Sequence, residues 1–181
     1  MAMGMCPQTQ DCQVDVYLES NLAMPKDMLL DARLQATRMF REIDVKVHMR
    51  DGSPARNPRT ACGSPIVVSI ETTTRYPVPG DALAYALPYQ GSGTCIHVFL
   101  DRVLPGRKQP LANALLAHVM VHEITHVLEQ IDRHSAEGVM KAHWSTEDYK
   151  RIERNPLPFA AEDVELIRTG LAKRSTRASA E

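Results

Sequence analysis

Two histidines and a glutamate in the second half of the chain stand at a spacing that suits metal chemistry. His122, Glu123 and His126 form the pattern H-E-x-x-H. Residues four apart lie one turn apart on the same face of a helix, so both imidazoles can reach one ion while Glu123 points at a water molecule on it. Zinc held by three protein ligands keeps a fourth position for water and lowers the pKa of that water towards about 7. The pattern therefore predicts one catalytic Zn²⁺ ion, with Glu123 as the general base.

A third ligand is expected downstream, and the residues leave three candidates. Glu129 could share the helical face of His126, Asp132 follows shortly after, and His134 lies where a turn beyond the helix end could bring it back. The spacing alone does not choose among them.

The helix that must carry this pattern is expected to be buried. Residues 111–131 follow a helical pattern and are apolar on nearly every side, apart from the histidines and glutamates. A helix of that kind lies in a core, and buried imidazoles beside a buried carboxylate need partners that a metal would supply. The polar interruptions argue against a membrane span, which needs about 20 apolar residues in a row.

Alternating and helical patterns predict the remaining elements. A strand at 14–18, a helix at 29–41 and a strand at 43–49 form a β-α-β opening, which favours parallel pairing. Strands follow at 66–72, 82–87 and 95–100, and after the long helix come a short helix capped by Ser145 or Thr146 and a last helix at 160–168. The fold class is therefore α+β: a single domain over 1–181, with an ordered core at 14–168 and a flexible tail at 169–181.

The long helix and the residues after it resemble the metzincin metalloproteases, whose pattern is H-E-x-x-H-x-x-G-x-x-H followed by a tight turn with a methionine beneath the zinc. His134-Ser135 followed by Met140 is similar to that family's third histidine and Met-turn. Glu129 stands where the family has glycine, and Asp132 stands where it has the third histidine. The resemblance implies that His134 is the third zinc ligand, with Asp132 and Glu129 as alternatives, and that Met140 is a packing floor.

The resemblance extends upstream to residues 83–101 and implies a twisted mixed sheet of about five strands. It implies a sheet-edge strand that pairs with an extended peptide, formed by Ala84, Tyr85, Ala86 and Leu87. The implied function is a zinc-dependent endopeptidase acting on a peptide or protein. A zinc-binding protein with lost or negligible peptidase activity, acting as a binding module, is the alternative.

The other histidines and aromatic residues carry weaker signals. His143 or Tyr149 could stabilise the oxyanion of a tetrahedral intermediate. His118, four residues before His122, is expected to be a core histidine or a support for the metal ligands, and Trp144 is expected to belong to the core. His48 and His97 fall in predicted strands and are expected to be structural.

Composition and cysteine content limit partners and compartment. The 181 residues include 21 Lys and Arg against 22 Asp and Glu, a balance that favours neither nucleic acid nor a polybasic membrane anchor. A monomer is expected. Four cysteines favour a secreted or periplasmic setting, although the first residues of the chain lack the basic and apolar segments of a signal peptide. Of three possible pairings, Cys6 with Cys12 would close a short loop, and Cys62 with Cys95 would tie two strand ends.

Overall fold

The computed structural model describes residues 12–55, 62–72, 82–87, 94–104, 106 and 108–180. Its elements follow the order expected from the sequence, except for the short helix α2, which the sequence did not predict. They are β1 (Gln13–Ser20), α1 (Lys26–Arg41), β2 (Lys46–Asp51), β3 (Ile66–Glu71), β4 (Ala84–Leu87), β5 (Thr94–Phe99), α2 (Leu100–Val103), α3 (Gln109–Glu129), α4 (Thr146–Ile152) and α5 (Ala161–Ala180).

Five strands form one mixed sheet in the order β2-β1-β3-β5-β4. The pairs β1·β2, β1·β3 and β3·β5 are parallel, whereas β4 runs antiparallel to β5 at the edge of the sheet. The α+β class and the β-α-β opening are therefore confirmed. The second strand begins later than predicted, because residues 42–44 form the turn that leaves α1, with Asp44 in the left-handed region at φ 60°.

The core lies on one face of the sheet. Val14, Val16 and Leu18 alternate with half-buried residues along β1 and are almost fully buried, as the period of a strand requires. Helices α1 and α3 cover this face and pack against each other, and α3 also contacts β4 and β5. The edge strand is therefore next to the helix that carries the histidines.

Helix α3 is buried along most of its length, as its sequence predicts. Pro110 stands in its first turn, where a missing N–H does no harm. The helix ends at Gln130, which adopts a left-handed conformation (φ 58°, ψ 30°) and donates its N–H to the carbonyl of His126. By length and composition α3 could cross a membrane, but 78% of its apolar window is buried inside the protein, as in the core helix of a globular fold.

The C-terminal part differs from the sequence prediction. Residues 169–180 were expected to be a flexible tail, but α5 continues to Ala180. Gly170 lies so close to α3 that a side chain there would overlap the carbonyl oxygen of Leu128. Further along, Arg174 donates hydrogen bonds to the carbonyls of Cys62 (3.2 Å) and Ser64 (2.6 Å). These tertiary contacts hold a helix that its polar composition does not reveal.

The described cysteines pair differently from either arrangement considered above. Cys12 and Cys62 form a disulfide with their Cα atoms 5.3 Å apart, which links the start of β1 to the segment before β3. Among the described residues Cys95 has no disulfide partner, and it lies in β5 opposite Val67. Cys6 lies outside the described residues.

Candidate metal centre

Three histidines come together where α3 ends. His122 and His126 lie one turn apart on α3, and His134 comes from the irregular segment that follows the helix. One ring nitrogen from each lies within 4.8 Å of the others, and in the described part of the chain no other group of three such side chains could hold a metal ion. The Nε2 atoms of His122 and His126 are 3.1 Å apart.

Backbone carbonyls fix the orientation of the two helical rings. His122 donates its Nδ1–H to the carbonyl of Val139 at 2.9 Å, and His126 donates its Nδ1–H to the carbonyl of Ile131 at 3.3 Å. Both Nε2 atoms are then lone-pair donors that face each other. Two such atoms repel unless a proton or a cation lies between them. Nitrogens bound to one tetrahedral zinc would be roughly 3.3 Å apart, close to the separation seen.

Burial keeps both imidazoles neutral, which is the form that binds metal. Burial, followed by the charge of His126, lowers the pKa of His122 to about 3. Burial and the nearby His134 also lower the pKa of His126. Both rings can therefore accept a cation across the physiological pH range without first losing a proton.

Glu123 is buried beside the histidines, with 8% of the residue exposed. Burial, and then the charge of Asp132, raises the pKa of its carboxyl group to about 8. A divalent cation at the three histidines would oppose this shift, because a positive charge nearby favours the ionised carboxylate.

The other two candidates for the third ligand are not members of the histidine group. Asp132 is exposed and is not part of the histidine group. Glu129 is buried, and neither of its carboxylate oxygens has a hydrogen-bond partner among the described residues. Burial, with a contribution from Asp163, raises the pKa of Glu129 to about 7.

His118 ties α3 to the segment before α5. Its Nδ1–H donates to the carbonyl of Ala114 at 2.6 Å, and its Nε2 accepts from the backbone N–H of Leu157 at 3.0 Å. Both nitrogens are therefore satisfied within the protein, and burial lowers the pKa of this ring to about 4. Trp144 packs edge-on against His118 and against His122, with ring centroids 6.0 and 5.9 Å apart.

A tight turn brings Val139 to His122. The N–H of Ser135 donates to the carbonyl of Met140 at 2.8 Å, and Met140 is fully buried. Gly138 adopts φ 75° and lies against the backbone of Pro158, where a side chain would overlap the carbonyl oxygen. The N–H of Val139 bonds to that same carbonyl oxygen at 2.9 Å.

The edge strand and the remaining histidines also have defined places. Tyr85 on β4 stacks on His97 with ring centroids 4.9 Å apart, and the Nδ1 of His97 lies 2.8 Å from Glu71. His48 is exposed on β2, close to Gln13 and Arg50. His143 is exposed and Tyr149 is half-buried in α4, and their role at an oxyanion stays a prediction.

Sequence reasoning missed the groups that support the histidines. The carbonyls of Val139 and Ile131 leave no sequence signal, because any residue carries one. It also missed a cluster of Arg133, Ser135 and Asp163 around His134. Spacing cannot reveal this cluster, because Asp163 lies on a different helix.

No protein-family model matches the sequence, and no curated protein resembles it significantly. Among solved structures, the fold is similar to that of archaemetzincin from Methanopyrus kandleri, with a TM-score of 0.57 and 15% sequence identity over 90% of this chain and 98% of that chain. The TM-score and the coverage show a shared fold, and at this low identity they show the fold alone. The chain therefore has an α+β fold similar to that of archaemetzincin, with three histidines placed where they could hold a metal ion.

Proposed function

We propose that the protein is a zinc-dependent endopeptidase that hydrolyses peptide bonds. The observation that carries the proposal is the convergence of nitrogens from His122, His126 and His134 within 4.8 Å of one another, beside the buried carboxyl group of Glu123. Three imidazole nitrogens form a known ligand set of a catalytic zinc site, which leaves a fourth position open.

Each of these residues has a distinct task. His122, His126 and His134 would hold zinc, which supplies an acidified water and polarises the substrate carbonyl when it is bound. Glu123 accepts the proton of the attacking water and passes it to the leaving amine. The Nδ1 bonds of His122 and His126 to backbone carbonyls hold those two rings in the tautomer that leaves Nε2 free.

Substrate binding is assigned to the sheet edge. Among the described residues, strand β4 pairs with β5 alone, and it lies next to α3. An extended peptide could pair with the backbone of Ala84, Tyr85, Ala86 and Leu87, which orients the chain without reading its side chains. Met140 forms the floor of the site, and His143 or Tyr149 stabilises the developing oxyanion.

The proposal is tested with Glu123→Gln and a matched control, Glu147→Gln, whose side chain is 72% exposed. Wild type and the control should each bind one zinc ion and hydrolyse a generic unfolded protein. Glu123→Gln should retain the zinc and lose activity by about 10²–10⁴-fold. A wild-type protein that binds zinc without turnover would instead support the binding module. Native protein without zinc would overturn the metal site itself.

A further inference from the structure

His134 is held differently from the other two histidines. It lies outside the helix, its side chain is exposed, and within the described residues its ring makes no hydrogen bond. Its contacts are with the rings of His122 and His126, at centroid distances of 5.2 and 5.0 Å. The position of His134 must therefore come from the backbone on either side of it.

Both neighbours of His134 bind the same carboxylate. The Nη1 of Arg133 donates to Oδ1 of Asp163 at 3.0 Å, and the hydroxyl of Ser135 also donates to Oδ1. The second oxygen of Asp163 accepts the N–H of Ala160 at 3.1 Å. One carboxylate on α5 thus fixes the residues immediately before and immediately after His134.

Asp163 is a rigid anchor. The residue is fully buried and stands in the first turn of α5, where the helix dipole favours a negative charge. Its helix packs against α3, where Gly170 lies close to the backbone of Leu128. A buried carboxylate needs compensation, and Arg133, the Ser135 hydroxyl and the N–H of Ala160 provide it.

We propose that Asp163 is a positioning residue for the third metal ligand. This inference rests on the proposed function, because it concerns a metal ion bound by His122, His126 and His134. By holding Arg133 and Ser135, Asp163 keeps His134 at the site before metal arrives. Without it, the segment around His134 would have to be ordered when the metal binds, and affinity would fall. Loss of a group that orients a metal ligand typically reduces affinity by about 10–100-fold.

The first test is the zinc affinity of the full chain carrying Asp163→Asn, measured by competition with a chromophoric chelator. Asparagine cannot accept hydrogen bonds from Arg133, Ser135 and Ala160 at once. Its NH₂ group takes the place of one carboxylate oxygen and then faces the donors that this oxygen accepted from. The Kd for zinc should rise about 10–100-fold. With Co²⁺ in place of zinc, the visible d–d absorption should change in intensity, since it reports the coordination geometry.

Two controls separate positioning from general stability. Glu162→Gln makes the same charge change one residue away and also removes the ion pair with Arg133, but at a side chain that is 69% exposed. Ile167→Ala removes a buried side chain from the same helix and should lower the melting temperature. Both variants should bind zinc with a Kd within about twofold of wild type and give the wild-type cobalt spectrum.

If Asp163→Asn fails to fold, the zinc affinities of Ser135→Ala and Ser135→Thr test the inference in its place. Alanine removes the hydroxyl and should weaken zinc binding, whereas threonine keeps the hydroxyl and should restore it. The inference would be overturned if Asp163→Asn or Ser135→Ala had the zinc affinity and the cobalt spectrum of the wild type. It would also be overturned if Ile167→Ala lost as much zinc affinity as Asp163→Asn. Failure of the wild type to bind zinc would instead overturn the proposed function.

Discussion

The ring of His122 donates a 2.9 Å hydrogen bond to the carbonyl of Val139, so the helix that carries H-E-x-x-H is joined directly to the turn that ends in Met140. The same Val139 bonds through its N–H to Pro158. The orientation of one imidazole therefore depends on a backbone turn that is itself anchored to the C-terminal part of the chain.

This relationship makes Gly138 a sensitive position. Alanine there would combine an unfavourable φ of 75° with an overlap on the carbonyl oxygen of Pro158, so Val139 would have to move away from His122. Gly138→Ala should destabilise the protein by more than about 2 kcal/mol and weaken zinc binding. The control is Gly52→Ala, at φ 92° in open space, which should cost about 1–2 kcal/mol and leave zinc affinity unchanged. Equal zinc affinities in the two variants would contradict the role given to the turn.

Zinc affinity also distinguishes the candidates for the third ligand. His134→Ala should weaken zinc binding by more than about 100-fold, beyond the loss expected for an outer group, because it removes a coordinating nitrogen. Asp132→Ala should change the affinity by only a few-fold, since Asp132 lies outside the histidine group. Isothermal titration of zinc into each variant measures both effects. A larger loss in Asp132→Ala than in His134→Ala would assign the ligand to the aspartate.

His118 is expected to support structure and not to bind zinc. His118→Ala leaves the N–H of Leu157 without a partner and opens a cavity, so the free energy of unfolding should fall by about 2–4 kcal/mol. Zinc stoichiometry should stay at one per chain. Chemical denaturation and metal analysis check the two claims. An exposed control, His48→Ala, should leave both quantities unchanged, and loss of zinc from His118→Ala would place it among the ligands.

The pKa of Glu129 gives stability a defined pH dependence. Burial raises this pKa from 4.5 to about 7, and Asp163, Arg133 and Glu162 also act on the carboxyl group. Between these two values the unfolded chain has released the proton while the folded chain retains it. The contribution of Glu129 to stability is therefore complete below pH 4.5 and declines as the pH rises to about 7.

Glu129→Gln should remove this decline. Metal-free Glu129→Gln should melt at a higher temperature than wild type at pH 8, and the difference should shrink as the pH is lowered to 5. Thermal unfolding of both proteins at a series of pH values measures this difference in melting temperature. Glu165→Gln, at an exposed position on α5, should follow the wild-type profile. A Glu129→Gln profile parallel to that of wild type would show that Glu129 does not titrate in this range.

The sequence predicted the elements that local patterns encode. Alternation along β1 and the apolar surface of α3 determine which faces are buried, and Ser145 caps α4 through a capping box with Asp148. The prediction was wrong for residues 169–180, because their helix depends on close contacts such as that of Gly170 with Leu128, which a single sequence does not display. The sequence left the cysteine pairing open, because it does not show that Cys12 and Cys62 meet.

In the candidate site, too, local patterns predict some of the residues and tertiary contacts supply the others. His122, Glu123 and His126 follow from helical spacing, and the structure brings His134 to them. The carbonyl of Val139 and the carboxylate of Asp163 do not follow from spacing, because the chain reaches them only by folding back after α3. Tertiary contacts thus decide how the three histidines are held, although residue types indicate that they could bind a metal.

X-ray absorption at the zinc edge of the zinc-loaded wild-type protein tests the central claim most directly. The account predicts three imidazole nitrogens at about 2.0–2.1 Å and one further light ligand from solvent. In His134→Ala one of the imidazole contributions should disappear. Fewer than three imidazoles in the wild type, or a fourth protein ligand that closes the site, would contradict an open catalytic metal centre at His122, His126 and His134.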